Sequence, residues 1–414
     1  MLPAVLNAQF SFTTNDDGTL NISQYVGSGG DVTIPSTTNG LPITSIGDSA
    51  FAAYGNSVTS VTIGTNVTMI AQYAFYYCTD MANVTIPDSV TSIGMDAFAN
   101  CTSLTNVTIP NSVTNIGDYV FLYCYGLTFA AISNGVTDLG NFTFYYCSNL
   151  TSITIPDSVT SVGQDEFGGC TSLTNVTMPD GVASIGDEAF VYCSGLRSVT
   201  IPNSVTNIGR SAFGGCTGLT SVRIPKSVTG IGDIAFDDCL NLTNVTIPNS
   251  IASIGQYTFC YCTNLSSVTI PGTITEIGGY AFADDFNLTS AYFLGNAPTN
   301  ADSTVFGSNP GTVVYYLPGT TGWSTMFGGA PTALWFLPNP LILTFEPIFG
   351  VQTNKFSFVI SWATNTSVVV EASTNLASNT WQPIQTNTLT GGWCNFSDSK
   401  WTNYPSRVYR IRSP

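Results

Sequence analysis

The fold is decided by the stretch Leu104-Thr-Asn-Val-Thr-Ile-Pro-Asn-Ser-Val-Thr-Asn-Ile-Gly-Asp-Tyr-Val-Phe121, followed three residues later by Cys124. Leu, Phe and Cys return every 23 residues on both sides of this stretch. A unit this short cannot bury a core alone, so each unit must be stabilised by stacking on its neighbours. The repeated cysteines are Cys78, Cys101, Cys124, Cys147, Cys170, Cys193, Cys216, Cys239 and Cys262.

Each unit combines two local patterns. In residues 106–109, outward Asn and Thr alternate with inward Val and Ile, which predicts a half-buried strand. Pro110 ends the strand because it has no N–H to donate. We expect Asp118 to cap a short helix with Phe121 and Cys124 on its inward face.

The unit L-x-x-V-T-I-P-x-S-V-T-x-I-G-x-x-A-F-x-x-C resembles the BspA-type leucine-rich repeat of bacterial surface proteins over roughly residues 30–295. The resemblance implies an α/β repeat solenoid, with short strands plus short helices or turns in each coil. Gly64 and Ser133 replace the strand-ending proline, and Ala71 replaces the glycine. We expect those coils to bend or loosen.

The domain organisation is predicted from where the period starts and stops. Residues 1–8 resemble the end of a cleaved leader, with a small residue before Gln9. The short alternating strands near the C-terminus predict a small all-β sandwich of immunoglobulin or fibronectin-III type. The predicted segments are a leader remnant at 1–8, an N-terminal cap at 9–45, repeats at 46–291, a C-terminal cap at 292–336 and the β-sandwich at 341–414.

The charge is unevenly distributed along the chain. The net charge is −16, and residues 1–196 contain no Lys or Arg. The part before residue 338 carries −18 and the remainder +2. So acidic a surface repels phosphate backbones, which argues against nucleic-acid binding. No segment approaches the roughly eighteen apolar residues of a membrane span.

The composition also argues against catalysis. The chain has no histidine, which removes His-activated nucleophiles, most zinc sites and the usual general base near neutral pH. The repeat carboxylates occupy turn or cap positions and are expected to be structural: Asp88, Asp118, Asp157 and Asp187. The pairs Asp237-Asp238 and Asp284-Asp285 leave calcium as a minor alternative, although no calcium-binding motif is present. We predict neither a cofactor nor a metal site, and no enzymatic activity.

The cysteine ladder allows three interpretations: buried free thiols, disulfides between adjacent coils, or a metal stack. Stacking in register points successive side chains in parallel, whereas a disulfide needs a specific crossed geometry. A linear ladder supplies no convergent metal ligands. We favour buried free thiols that pack as small apolar groups.

Three surfaces are candidates for ligand binding. The first carries the basic residues of the repeats, with Arg197 and Arg223 predicted in outward strand positions on adjacent coils, although drift among the repeats explains them equally well. The second is the outward Asn and Thr rows, which are either a solvated strand face or a ligand face. The third is the tyrosines that precede ladder cysteines, which either pack at the core edge or stack on sugars. The residues of the first two surfaces selected as candidates are Arg197, Arg210, Arg223, Lys226, Asn175, Thr177, Thr200 and Thr246, and the tyrosines are Tyr77, Tyr123, Tyr146, Tyr192 and Tyr261.

The sequence therefore favours a secreted or cell-surface protein that binds a protein or glycan ligand, as the resemblance implies. The alternative is a self-assembling structural component whose partner is another copy of the chain. Attraction between the acidic repeats and the basic C-terminal module would favour head-to-tail assembly.

Overall fold

The computed structural model describes residues 9–52, 57–337, 339–344, 349–353, 355–375 and 380–412. The predicted leader remnant lies outside this part of the chain. The chain divides into two compact units, one of residues 1–245 and 257–263 and the other of residues 246–256 and 264–414. No helix in the described ranges is both long and apolar enough to cross a membrane.

The first strands lie ahead of the regular repeats. β1 and β2 form an antiparallel hairpin, and β2 pairs in parallel with β5. The five strands are β1 (Phe10–Thr14), β2 (Leu20–Tyr25), β3 (Gly30–Thr33), β4 (Thr37–Thr38) and β5 (Leu41–Ile46).

In the repeats, the L-x-x-V-T-I segment of almost every coil forms a parallel strand. Residues 106–109 have two exposed and two buried side chains in alternation, as predicted. These strands are β6 (Val58–Thr62), β8 (Asn83–Thr85), β10 (Asn106–Ile109), β12 (Phe129–Ile132), β13 (Ser152–Thr154), β15 (Asn175–Thr177), β18 (Ser221–Arg223), β20 (Asn244–Thr246), β22 (Ser267–Ile270) and β24 (Ser290–Phe293).

A second row of two-residue strands precedes the conserved position of the repeat glycine. These strands are β7 (Met69–Ile70), β9 (Ser92–Ile93), β11 (Asn115–Ile116), β14 (Ser161–Val162), β16 (Ser184–Ile185), β17 (Asn207–Ile208), β19 (Gly230–Ile231), β21 (Ser253–Ile254) and β23 (Glu276–Ile277). A Cβ atom on Gly117 would lie 2.5 Å from the backbone N of Met95. The glycine is therefore required by close contact between coils.

The predicted short helices are wrong. In residues 96–101, the N–H groups of Asp96, Phe98 and Asn100 donate to carbonyls of the following coil, whereas the intervening N–H groups donate three residues back. Asp96 and Asn100 have left-handed φ angles of 54° and 62°. A helix needs an uninterrupted run of internal i to i−4 bonds, and here every second donor bonds to the neighbouring coil. The only helix among the described residues is the 3₁₀ helix Trp401–Asn403.

The core of the first unit is a column of phenylalanine rings and a column of thiols. Neighbouring rings from Phe51 to Phe259 stack with centroids 4.7–5.6 Å apart. Each ladder thiol donates a hydrogen bond to the carbonyl of the phenylalanine in the coil before it, as Cys101 does to Phe75 at 3.2 Å. The same carbonyl accepts the N–H of Cys78. All nine ladder cysteines are buried free thiols, as predicted.

The stacking is irregular around Gly140 and Gly163. In most coils the repeat glycine donates to the carbonyl 24 residues earlier, as Gly117 does to Ile93. Here Gly140 donates to its own coil's Asp138, and Gly163 donates to Glu166 Oε2 at 2.7 Å. The second row of strands is interrupted between β11 and β14. The coil with Ser133 therefore loosens in the second row of strands. Its first-row strand, β12, still pairs with the strands on both sides.

The second unit ends in an all-β region. β24, β25, β27 and β26 continue one sheet, after which two antiparallel sheets share one core. That core contains Phe358, Ile360 and Phe396 from one sheet and Val368 and Val370 from the other. The remaining strands are β25 (Val313–Tyr316), β26 (Met326–Phe327), β27 (Ala330–Leu334), β28 (Leu341–Leu343), β29 (Gly350–Gln352), β30 (Lys355–Ser361), β31 (Thr366–Ser373), β32 (Gln382–Leu389), β33 (Trp393–Asp398) and β34 (Val408–Arg412).

Burial of the ladder predicts its thiol reactivity. In the native protein, an alkylating reagent should modify Cys394, which is partly exposed, and leave the ladder untouched. After denaturation without reductant, mass spectrometry should find all eleven cysteines alkylated. Ladder cysteines that stay unmodified after denaturation would instead indicate disulfides.

Glu166 should make stability depend on pH. Its side chain is fully buried and Oε1 has no hydrogen-bond partner, and this burial raises its pKa to about 8. Because the folded pKa exceeds the unfolded one, the free energy of unfolding should fall as pH rises from about 4.5 to 8. In Glu166→Gln that fall should shrink by at least about 1 kcal/mol. Urea titrations at pH 5 and pH 8.5 measure it.

Asp165 remains as a background in both proteins, because burial raises its pKa to about 6. The comparison of the wild type with Glu166→Gln therefore isolates Glu166. An identical pH dependence in the two proteins would contradict the prediction.

Candidate functional site

A groove of about 500 Å³ lies beside Arg197 in the first unit, and we call it the arginine groove. Its walls are formed by the same two parts of successive coils. One part directly follows the ladder cysteine, and the other directly follows the repeat leucine. The lining residues are Ser172, Thr174, Ser194, Gly195, Arg197, Gly218, Thr220 and Asn241.

Two successive coils carry glycine at the groove, where the coils on either side carry Ser172 and Asn241. A Cβ atom on Gly195 would meet the carbonyl of Thr171 at 2.5 Å, and one on Gly218 would meet that of Ser194 at 2.5 Å. The backbone of the preceding coil therefore approaches both glycines closely, and the exposed Arg197 side chain lines the groove with them.

Arg197 replaces threonine in a structural row. Thr174 Oγ1 donates to the carbonyl of Thr151 at 3.2 Å, and Thr220 Oγ1 donates to that of Arg197 at 3.3 Å. These hydroxyls have used their proton, so toward a ligand they are acceptors. The guanidinium of Arg197 adds up to five donors and a positive charge. This combination suits a carboxylate, sulfate or phosphate group presented with neighbouring hydroxyls.

The other predicted basic residues lie in different places. Arg223 lies in β18 and points outward, and Lys226 is exposed in the turn that follows. The predicted strand position of Arg197 is wrong, because its coil contributes only the isolated bridge from Ser198 to Ser221 and Arg197 precedes it. Arg197 and Arg223 therefore belong to different rows.

Arg210 lies on the turn side of its coil and has its own partners. Its guanidinium forms an exposed ion pair with Glu188 at 3.3 Å, and its backbone N–H donates to Asp187 Oδ1 at 2.7 Å. An ion pair this exposed contributes no more than about 1 kcal/mol to stability. The four basic residues thus form no single cluster, and Arg197 is the one of them that lines the arginine groove.

The predicted Asn and Thr residues lie on the strand face. Asn175 and Thr177 are exposed in β15, Thr246 is exposed at the end of β20 in the second unit, and Thr200 is exposed outside any strand. The ligand role of these four residues stays a prediction.

Two of the predicted structural carboxylates, those of Asp118 and Asp187, accept hydrogen bonds from the following coil. Asp118 Oδ1 accepts the N–H of Asn141 at 2.8 Å, in the following coil. The predicted helix-capping role of Asp118 is therefore wrong, because its carboxylate accepts from the backbone of the neighbouring coil. Within the described ranges, no three His, Cys, Asp or Glu side chains are grouped as metal ligands.

Three of the five basic residues of the C-terminal region form ion pairs within that region. Arg410 and Arg412 each contact Glu371 at 2.7 Å, and Arg407 contacts Asp398 at 3.0 Å. Arg410 also lies 4.4 Å from the ring centre of Trp381. These three basic side chains therefore have carboxylate partners within the region, and the net charge of +2 already counts those carboxylates.

Sequence reasoning underrated the aromatic residues at the surface. Tyr77, Tyr146, Tyr192 and Tyr261 are 37–58% exposed, and Phe129 is 49% exposed in a strand position that holds Asn106 and Ser152 in the flanking coils. One sequence signal could have pointed to them: Gly168 and Gly169 lie one period, 23 residues, after Tyr145 and Tyr146.

The comparisons with known proteins agree with this architecture. A family model, the BspA type leucine rich repeat region, matches overlapping stretches at residues 44–161, 68–197, 137–213 and 183–310. No curated protein shows significant similarity. Among solved structures, a leucine-rich repeat protein from Bacteroides ovatus is 25% identical, with a TM-score of 0.57 and coverage of 74% of this chain and 93% of that one.

Two further solved structures are similar. A leucine rich cell surface protein from Faecalibacterium prausnitzii is 30% identical over 69% of this chain and 86% of that one, with a TM-score of 0.45. The pneumococcal vaccine antigen PcpA is 19% identical over 74% of this chain and 87% of that one, with a TM-score of 0.53. Since the family model spans more than half of the chain, the protein belongs to the BspA-type leucine-rich repeat family.

Proposed function

We propose that this chain is an extracellular binding protein that recognises an anionic group of a protein or glycan ligand at the arginine groove. The groove beside Arg197 carries the proposal, because a cation, hydroxyl oxygens and two side-chain-free positions meet there. Such a site recognises a planar or tetrahedral oxyanion, and the rest of the ligand that carries this group can vary.

The surrounding surface supports recognition of one group in a specific context. The chain is acidic overall, so a highly charged polyanion is repelled at long range while a single anionic group is accepted at Arg197. The exposed polar side chains of β15 and β18 provide hydrogen-bonding groups beyond the groove.

The family supports an extracellular location and a non-enzymatic role. The relative from Faecalibacterium prausnitzii is described as a cell surface protein. The chain has no histidine, and the carboxylates of Asp118 and Asp187 bond to the backbone of neighbouring coils. Binding without catalysis accounts for both observations.

Self-assembly into a structural layer is the second candidate. Its electrostatic argument weakens because Arg407, Arg410 and Arg412 are paired with carboxylates of their own region. Ordered polymers in electron micrographs of purified protein would support it, and a monomer by light scattering would count against it.

Replacement of Arg197 by threonine tests the groove. Threonine is the residue of the neighbouring coils, so Arg197→Thr should fold normally. Both proteins are tested on arrays of sulfated, sialylated and neutral glycans and of extracellular-matrix proteins. The wild type should bind anionic targets, and the variant should bind them at least about tenfold more weakly because it has lost a charge-assisted pair.

Arg223→Thr is the matched control, because it removes one exposed charge on the strand face outside the groove. Its affinity should stay within about twofold of the wild type, since an isolated exposed charge contributes little. Equal losses in both variants, or wild-type binding to neutral targets alone, would count against the groove.

A further inference from the structure

A second exposed surface lies on the turn side of the first unit. It consists of six aromatic residues from two successive coils, which we call the tyrosine cluster: Tyr119, Tyr123, Tyr125, Phe142, Tyr145 and Tyr146. Tyr125 and Tyr146 are 43% and 37% exposed. The cluster shares no residue with the arginine groove.

The rings hold one another in fixed orientations. Tyr119 stacks on Phe142 with centroids 4.8 Å apart, and Phe142 meets Tyr145 edge to face at 5.5 Å. Tyr145 and Tyr146 are perpendicular at 4.7 Å, and Tyr146 lies 5.7 Å from Tyr123. Rings ordered in this way lose little conformational freedom on binding, which favours recognition.

The next coil provides a flat bed for two of these rings. A Cβ atom on Gly168 would lie 2.8 Å from Tyr145 Cδ2, and one on Gly169 would lie 2.9 Å from Tyr146 Cγ. The rings can lie across this coil only because both positions lack side chains.

The fold does not require aromatic residues at these positions. Tyr123 and Tyr146 have left-handed φ angles of 57°, a conformation that asparagine and glycine adopt more readily. Asn100 and Gly169 fill the equivalent position in the flanking coils. The aromatic residues therefore sit, against local backbone preference, where neighbouring coils manage without them.

The electrostatic surroundings indicate the chemistry of the partner. Residues 1–196 contain no Lys or Arg, and the closest following cation on the turn side, Arg210, is paired with Glu188. Burial, Tyr146 and Asp165 together raise the pKa of Tyr145 to about 12, so the phenol stays neutral. The region offers ring faces and negative potential but no cation of its own.

We infer that the tyrosine cluster binds a lysine- or arginine-bearing segment of a partner protein. The faces of the exposed rings accept an ammonium or guanidinium group by cation–π attraction. The acidic repeats add long-range attraction for a basic segment and repel highly charged polyanions. This site is independent of the arginine groove, which takes a ligand of opposite charge.

The double variant Tyr125→Thr/Tyr146→Asn tests the inference. Both substitutions introduce residues that other coils carry at the equivalent positions, Thr102 and Asn100, so the fold should be kept. The probe is an array of synthetic peptides containing Lys or Arg, each with a Gln-substituted counterpart, at about 0.15 M NaCl to screen weak nonspecific attraction. Wild-type protein should bind the basic peptides, and the double variant should bind at least about tenfold more weakly.

Tyr192→Asn is the matched control, because Tyr192 occupies the same kind of position, is 58% exposed and lies outside the cluster. It should leave peptide binding within about twofold of the wild type, and Arg197→Thr should do the same. Equal binding to the Gln-substituted peptides, an unchanged double variant, or binding to neutral glycans in place of basic peptides would each overturn the inference. If Arg197→Thr loses only its binding to anionic targets and still binds the basic peptides, the result supports a separate site at the tyrosine cluster.

Discussion

Each coil gives half of the backbone N–H groups in its turn segment to the coil beside it, and the rest of the structure depends on this sharing. It holds Asp96 and Asn100 in left-handed conformations and leaves too few internal bonds for a helix. It also fixes the coil spacing at which phenylalanine rings stack and thiols reach carbonyl oxygens. Glycine before the turn follows from the same close approach.

The period predicted much of this architecture. The alternation in residues 106–109 predicted the strand and its buried face, and the parallel stacking of cysteines predicted free thiols. The helix was mispredicted because the spacing of Phe121 and Cys124 suits a helical face as well as two successive turns. A helix and these turns differ in which carbonyls accept the backbone N–H groups. In this protein the acceptors belong partly to the neighbouring coil, so the sequence of a single unit does not reveal them.

The surfaces were harder to predict than the core. Composition singled out Arg197, but the groove is also lined by Gly195 and Gly218, whose close contact with the preceding coil appears only when coils are stacked. Charge counting suggested a basic C-terminal region, but three of its arginines form ion pairs with Glu371 and Asp398 of the same region. The tyrosines looked like core-edge residues because a sequence does not show that glycines in the next coil make room for them.

The left-handed position before the ladder cysteine bears on how such a protein can diversify. It holds Asn100, Tyr146, Gly169 and Asp238 in different coils without a change in the stacking of the core. Outward side chains can therefore vary by point mutation, and a whole coil can be duplicated or deleted, since each presents the same hydrogen-bonding interface on both sides. Two neighbouring stretches of one chain can in this way acquire ligands of opposite charge while sharing a single inherited core.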